Sequence, residues 1–223
     1  MIPKISFGTY KLKPEECFEA VTSAIKCGYK GIDTASMYKN EAEIGRAITE
    51  CGVPRSELYI TGKCWSNDLD DPRRECLKSI ENLQCKYLDL YLIHWPFALY
   101  GAENYPEGNF GLRRIPMHVI WGNMESLVDE GLCKAIGFCN FPAVLTNDLL
   151  GYARVHPACN QVEVHPYNAS IKLQAFHTAN NITTQAFGVL GGVEYTHLAP
   201  EKTPLAQHEL VTGFAEKYGK TPY

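Results

Sequence analysis

Seven short β-rich runs alternate with stretches of helical periodicity along this chain of 223 residues. The runs are 4–8 (KISFG), 29–33 (YKGID), 58–62 (LYITG), 87–93 (YLDLYLI), 133–138 (CKAIGF), 159–164 (CNQVEV) and 182–187 (ITTQAF). Residues 15–27 place Phe18, Val21 and Ile25 on one face, with Pro14 suited to a first helical turn and Gly28 to the exit. Residues 72–84 repeat the pattern with Leu77, Ile80 and Leu83, and 118–130 with Ile120, Met124, Leu127 and Val128, ending at Gly131. Strand–helix alternation implies parallel pairing through right-handed crossovers, in a doubly wound sheet or a (β/α)₈ barrel. The second, third and fourth strands end near 33, 63 and 94, one βα unit apart each time, which favours the barrel. No linker or compositional break divides residues 1–223, so a single domain is expected.

A net charge of −4 gives no electrostatic reason to expect nucleic acid or an anionic membrane surface. The longest apolar stretch, YLDLYLIHWPFALY, contains Asp89, His94 and Pro96 and is no membrane span. Nine cysteines without a C-x-x-C pair, and no H-E-x-x-H, argue for reduced, packed thiols in a cytoplasmic protein without a metal site. No G-x-G-x-x-G and no complete phosphate loop are present, which disfavours a doubly wound nucleotide-binding sheet.

Three polar residues stand at consecutive strand ends: Asp33, Lys63 and His94. Neighbouring strands lie about 4.8 Å apart, so these groups converge at one mouth of a barrel, with Tyr38 in the loop above Asp33. Each alone has an ordinary explanation as a cap, a solvated lysine or a core histidine. Together they form a proton donor. A free phenol, with a pKa near 10, is too weak an acid for carbonyl reduction at neutral pH, and an ammonium beside it is expected to lower that value. A carboxylate beyond the ammonium keeps it charged and aimed, and an imidazole orients the substrate oxygen.

The stretch 28–45, GYKGIDTASMYKNEAEIG, together with LDLYLIHWP, VDEGLCKAIGFCNF and NQVEVHPY, resembles the aldo-keto reductase family over about residues 2–222. The resemblance implies a (β/α)₈ barrel, NADPH as hydride donor, a small aldehyde or ketone as substrate, Tyr38 as general acid tuned by Lys63 and Asp33, and His94 orienting the carbonyl. It also implies a cofactor site at Thr9, Asp33, Cys139, Asn140, Gln161, Phe187 and Leu190. Tyr10, Trp65, His94 and Trp95 would wall the substrate pocket.

Departures from the family accompany the match. Cys139 stands where a serine usually helps hold the nicotinamide carboxamide, and a thiol is the weaker hydrogen-bond partner. Phe187 keeps a stacking face without a hydroxyl, and FGVLGG (187–192) replaces Tyr-Ser-Pro-Leu-Gly. The chain stops at AEKYGKTPY, where the family continues into an eighth strand and the loop for the 2′-phosphate of NADPH. An incomplete barrel is therefore expected, with unpaired edges on its first and last strands. A monomer is expected. The rival reading is a catalytically impaired scaffold whose open edges pair with another chain.

Overall fold

The computed structural model describes residues 1–100, 111–191 and 204–223, and these fall into two compact units, Met1–Cys159 and Asn160–Tyr223. Residues 101–110 and 192–203, which include Gly192 of FGVLGG, lie outside the described residues.

The first unit runs β1 (Ser6–Gly8), α1 (Pro14–Lys26), β2 (Gly31–Asp33), α2 (Glu41–Glu50), β3 (Tyr59–Cys64), α3 (Pro72–Asn82) and β4 (Leu90–Ile93). It continues through β5 (Ala98–Leu99), β6 (Leu112–Arg113), α4 (Met117–Asp129), β7 (Ile136–Cys139) and α5 (Ala143–Leu150). Strands β1, β2, β3, β4 and β7 pair in that order, all parallel, while β5 and β6 form a small antiparallel ladder of their own. All four residues of β4 and all four of β7 are buried, as befits parallel strands covered on both faces.

The register aligns the catalytic-side strand ends. Gly8 is opposite Asp33, Asp33 opposite Thr61, Lys63 opposite Leu92, and Ile93 opposite Phe138. Lys63 is therefore one pleat beyond the residue that faces Asp33, on the same side of the sheet.

Helix signals acted as expected at several ends. Pro14 and Pro72 open α1 and α3, and the Asp71 carboxylate caps α3 by accepting from the Arg74 amide at 3.0 Å. Gly28 leaves α1 with φ 97°, a conformation open to glycine. The apolar stripe of 72–84 meets the sequence expectation only in part: Leu83 is fully buried and Ile80 partly so, but Leu77 is exposed, and the inward face also carries Glu75, Cys76 and Ser79. Polar groups line this seam, because Glu41 at the start of α2 accepts a hydrogen bond from Asn82 at 3.3 Å.

The nine cysteines are free thiols, six of them buried. Burial pushes Cys17 up to about 11, and Cys133 and Cys159 up to about 12.

The second unit contains most of β8 (Cys159–Glu163), then α6 (Ile171–Ala179), β9 (Thr183–Phe187) and α7 (Glu209–Tyr218). Strands β8 and β9 are hydrogen-bonded neighbours. Between them His177, fully buried on α6, joins Asn160 at 3.0 Å through Nε2 and Thr184 at 2.8 Å through Nδ1. The Asn160 amide nitrogen can only donate, so Nε2 accepts and Nδ1 carries the proton to Thr184. All seven β-rich runs of the sequence thus become strands, five in the first unit and two completed in the second.

Gly45 marks the closest approach of α2 to α3. A Cβ there would collide with the Asn82 carbonyl and lie 2.8 Å from the Leu83 carbonyl carbon. Within an exposed helix, glycine to alanine gains roughly 1 kcal/mol. Here backbone blocks the space, so Gly45→Ala is expected to cost about 1–3 kcal/mol instead. Urea unfolding followed by tryptophan fluorescence reads this directly, since Trp65, Trp95 and Trp121 all belong to the first unit.

Candidate active site

Lys63 is the centre of the site. Its side chain is fully buried, and its ammonium bonds the Asp33 carboxylate, donates to the Thr34 carbonyl at 2.9 Å and reaches the Tyr38 hydroxyl at 3.4 Å. Burial works most strongly against the charge, but Asp33 and the groups around it together outweigh it, and the ammonium is held above its ordinary range. Tyr38 arrives from a one-turn 3₁₀ segment, Ser36–Tyr38, directly after β2. That turn ends on Lys39 in the left-handed region, with φ 56°. The Ser36 hydroxyl donates to the Lys63 carbonyl at 3.3 Å, binding the turn to β3.

His94 follows the last residue of β4 and is fixed from two sides. Its amide donates to the Cys64 carbonyl at 3.0 Å, and its own carbonyl accepts from Asn140 Nδ2 at 3.0 Å. Its ring lies edge-on to Trp65 at 5.0 Å and to Tyr38 at 5.8 Å between centroids. The Nδ1 atom is buried and has no hydrogen-bond partner among the described residues. Burial first, and then the Lys63 charge, push the imidazole down to about 3, so it is neutral at physiological pH.

One sequence expectation is corrected here. Lys63 does pull the Tyr38 phenol down, but burial pushes it up by more, and the net direction is above the ordinary value. At rest Tyr38 is a protonated phenol next to a cation, charged with its proton and not poised as phenolate.

The structure brings Asp33, Tyr38, Lys63, His94, Trp65 and Tyr10 together. Tyr10, half exposed, lies 5.0 Å from the Tyr38 ring. Trp95 is partly exposed and packs on Phe97 at 5.9 Å. Thr9 is buried, its hydroxyl donating to the Asp33 carbonyl at 3.0 Å. Asn140 follows β7 directly, in the left-handed region with φ 62°. Cys139 is buried against Leu90, Leu92 and Cys159, and burial holds its thiol well above the ordinary range. In the second unit Gln161 is buried on β8, Phe187 is half-buried at the end of β9, and Leu190 is exposed between Gly188 and Gly191, both with positive φ. Asn40 and Thr34 went unnoticed in the sequence. Both are buried polar residues joined to this site, and their only signal there was membership of the DTASMYKNE stretch.

Residues 4–209 match the model of the Aldo/keto reductase family. The chain is 37% identical over 232 residues to Aldo-keto reductase family 1 member A1-A of Danio rerio, covering 99% of this chain and 72% of that protein. It is also 37% identical over 240 residues to the probable NAD(P)H-dependent D-xylose reductase xyl1 of Emericella nidulans, covering 75% of it. Among solved structures, the aldose reductase of Giardia lamblia superposes with a TM-score of 0.90 at 33% identity, over 99% of this chain and 75% of that one. The aldose reductase of Schistosoma japonicum gives 0.89 at 35% identity, over 99% and 73%. The chain belongs to the aldo/keto reductase family, and its fold class is the (β/α)₈ barrel over the part that it spans. It is an oxidoreductase by that membership. Among the described residues no helix is long and apolar enough to cross a membrane, and no group of three or more His, Cys, Asp or Glu could hold a metal ion.

A neutral buried His94 must take up a proton when the protein unfolds below its free pKa of about 6.5. The unfolded state then binds more protons, so stability falls as pH drops from about 6.5 towards the folded value of about 3. His94→Gln removes this contribution while other groups cancel between the two proteins. Between pH 7.5 and pH 5 the wild type should lose about 2 kcal/mol more than the variant in urea unfolding.

Proposed function

We propose that the chain reduces aldehydes or ketones to alcohols with NADPH as hydride donor and Tyr38 as general acid. The observation that carries this reading is the Lys63 ammonium, bound to Asp33 and 3.4 Å from the Tyr38 hydroxyl. A carbonyl that accepts hydride develops negative charge on oxygen. A phenol that still holds its proton can donate it, and the phenolate left behind is stabilised by the adjacent cation. Lys63 therefore acts on the product side of proton transfer: it makes losing the proton less costly without removing it beforehand. His94, neutral and fixed through its backbone, contributes one N–H as hydrogen-bond donor to the same oxygen and adds no charge.

The donor set suits a nicotinamide. Bound here, NADPH would supply the hydride. With Nδ2 of Asn140 committed to His94, its Oδ1 is the atom to accept from a carboxamide N–H. The neutral Cys139 thiol offers a weak donor at most. Tyr10, Trp65 and Trp95 would form the apolar wall against the substrate.

Loss of absorbance at 340 nm from NADPH with 4-nitrobenzaldehyde tests the reading. Turnover is expected, and Tyr38→Phe should lower kcat by at least about 100-fold. A Tyr38→Phe protein at full rate would remove Tyr38 from the mechanism, and no turnover with NADPH would remove the NADPH assignment.

A further inference from the structure

Asn40 occupies the N-cap of α2, where an asparagine side chain ordinarily accepts from the helix's own first amides, yet it makes no such bond. Its side chain is turned the other way. Nδ2 donates to the carbonyls of Thr9 at 2.9 Å and Leu12 at 3.1 Å, and Oδ1 accepts from the Thr34 hydroxyl at 3.3 Å. Followed onward, these bonds close on themselves. Thr9 donates to the Asp33 carbonyl through both its amide and its hydroxyl, each at 3.0 Å. The Thr34 carbonyl accepts from Lys63, and Lys63 bonds the Asp33 carboxylate. Asp33, Thr9, Asn40, Thr34 and Lys63 thus form one hydrogen-bonded ring, in which Thr9, Thr34 and Lys63 are fully buried and Asn40 is 1% exposed.

We propose that Asn40 is the positioning residue of the proton-donating site: it closes this ring and so fixes the Lys63 ammonium relative to the Tyr38 hydroxyl. This deepens the reading of Tyr38 as general acid and rests on it. Three features favour a positioning role over a purely structural one. The ring and the adjoining Leu12 carbonyl together need two donors and one acceptor from a single short side chain, and only an amide supplies them. Asn40 lies two residues beyond Tyr38, across the left-handed Lys39, so its anchorage sets where the Tyr38 turn ends. It also grips the β1 loop on both sides of Tyr10, at Thr9 and Leu12, and the Tyr10 ring packs on Tyr38.

The test uses Asn40→Asp, which keeps the acceptor and loses the donors, and Thr34→Val, which removes the ring hydroxyl but leaves the Thr34 carbonyl for Lys63. Ile120→Val, a buried change on α4, controls for lost stability. Three readouts are taken: kcat against KM, the melting temperature, and the ¹³Cζ resonance of Tyr38 in ligand-free protein, assigned by its loss in Tyr38→Phe. Both ring variants should lower kcat by about 10-fold or more with KM changed by less than about 3-fold, and both should shift the Tyr38 resonance. Ile120→Val should lower the melting temperature with kcat and the resonance unchanged. If both ring variants keep the wild-type kcat and resonance, the proposal is overturned, and Thr34→Val decides alone if Asn40→Asp does not fold. A fully active Tyr38→Phe with a shifted resonance in Asn40→Asp would sink the acid assignment while upholding the positioning. An inactive Tyr38→Phe with unaffected ring variants would do the reverse.

Discussion

A charged amine fully enclosed by protein is the constraint around which this site is built. Taking an ammonium out of water costs several kcal/mol even after relaxation, and it remains charged only where a counter-charge and hydrogen bonds replace the lost water. Lys63 has all of these: the Asp33 carboxylate, the Thr34 carbonyl and, more distantly, the Tyr38 hydroxyl. Each partner is delivered by the end of β2 or the turn that follows it, and the amine itself by β3. The parallel register of those strands is therefore what makes the cation tolerable. Without the sheet, the charge would have no reason to be buried.

Once the cation is in place, the electrostatics of its neighbours follow. The imidazole of His94 is denied a proton by burial and by Lys63, so the site holds one cation and not two. The phenol of Tyr38 is driven the opposite way by burial and drawn back by Lys63. The outcome is a neutral imidazole edge-on to a protonated phenol, with 5.8 Å between ring centres. Proton transfer from such a phenol is assisted most when negative charge appears on an incoming oxygen, which is when assistance lowers a barrier.

Much of this was legible in the sequence, for particular physical reasons. Asp33, Lys63 and His94 stood out because strands are short, their ends fall at regular spacing, and a polar residue closing an apolar run is conspicuous. The sign of the Tyr38 shift was not legible, because it depends on how much water the fold removes, and no spacing encodes that. Asn40 looked like loop polarity or a helix cap, and only coordinates reveal that its amide turns away from the helix. The face of α3 was misjudged for a related reason. Apolar periodicity selected Leu77, whereas the helix turns Glu75, Cys76 and Ser79 inward, towards the buried Glu41 of α2.

The sulfur chemistry of the chain has a consequence of its own. Soft electrophiles such as α,β-unsaturated carbonyl compounds modify proteins chiefly through thiolates, and thiolate is scarce where burial drives the equilibrium towards S–H. Cys17, Cys64, Cys76, Cys133, Cys139 and Cys159 are all enclosed in this way. The interior thiols are thereby kept from alkylation, and Cys27, exposed just past α1, is the thiol most open to attack.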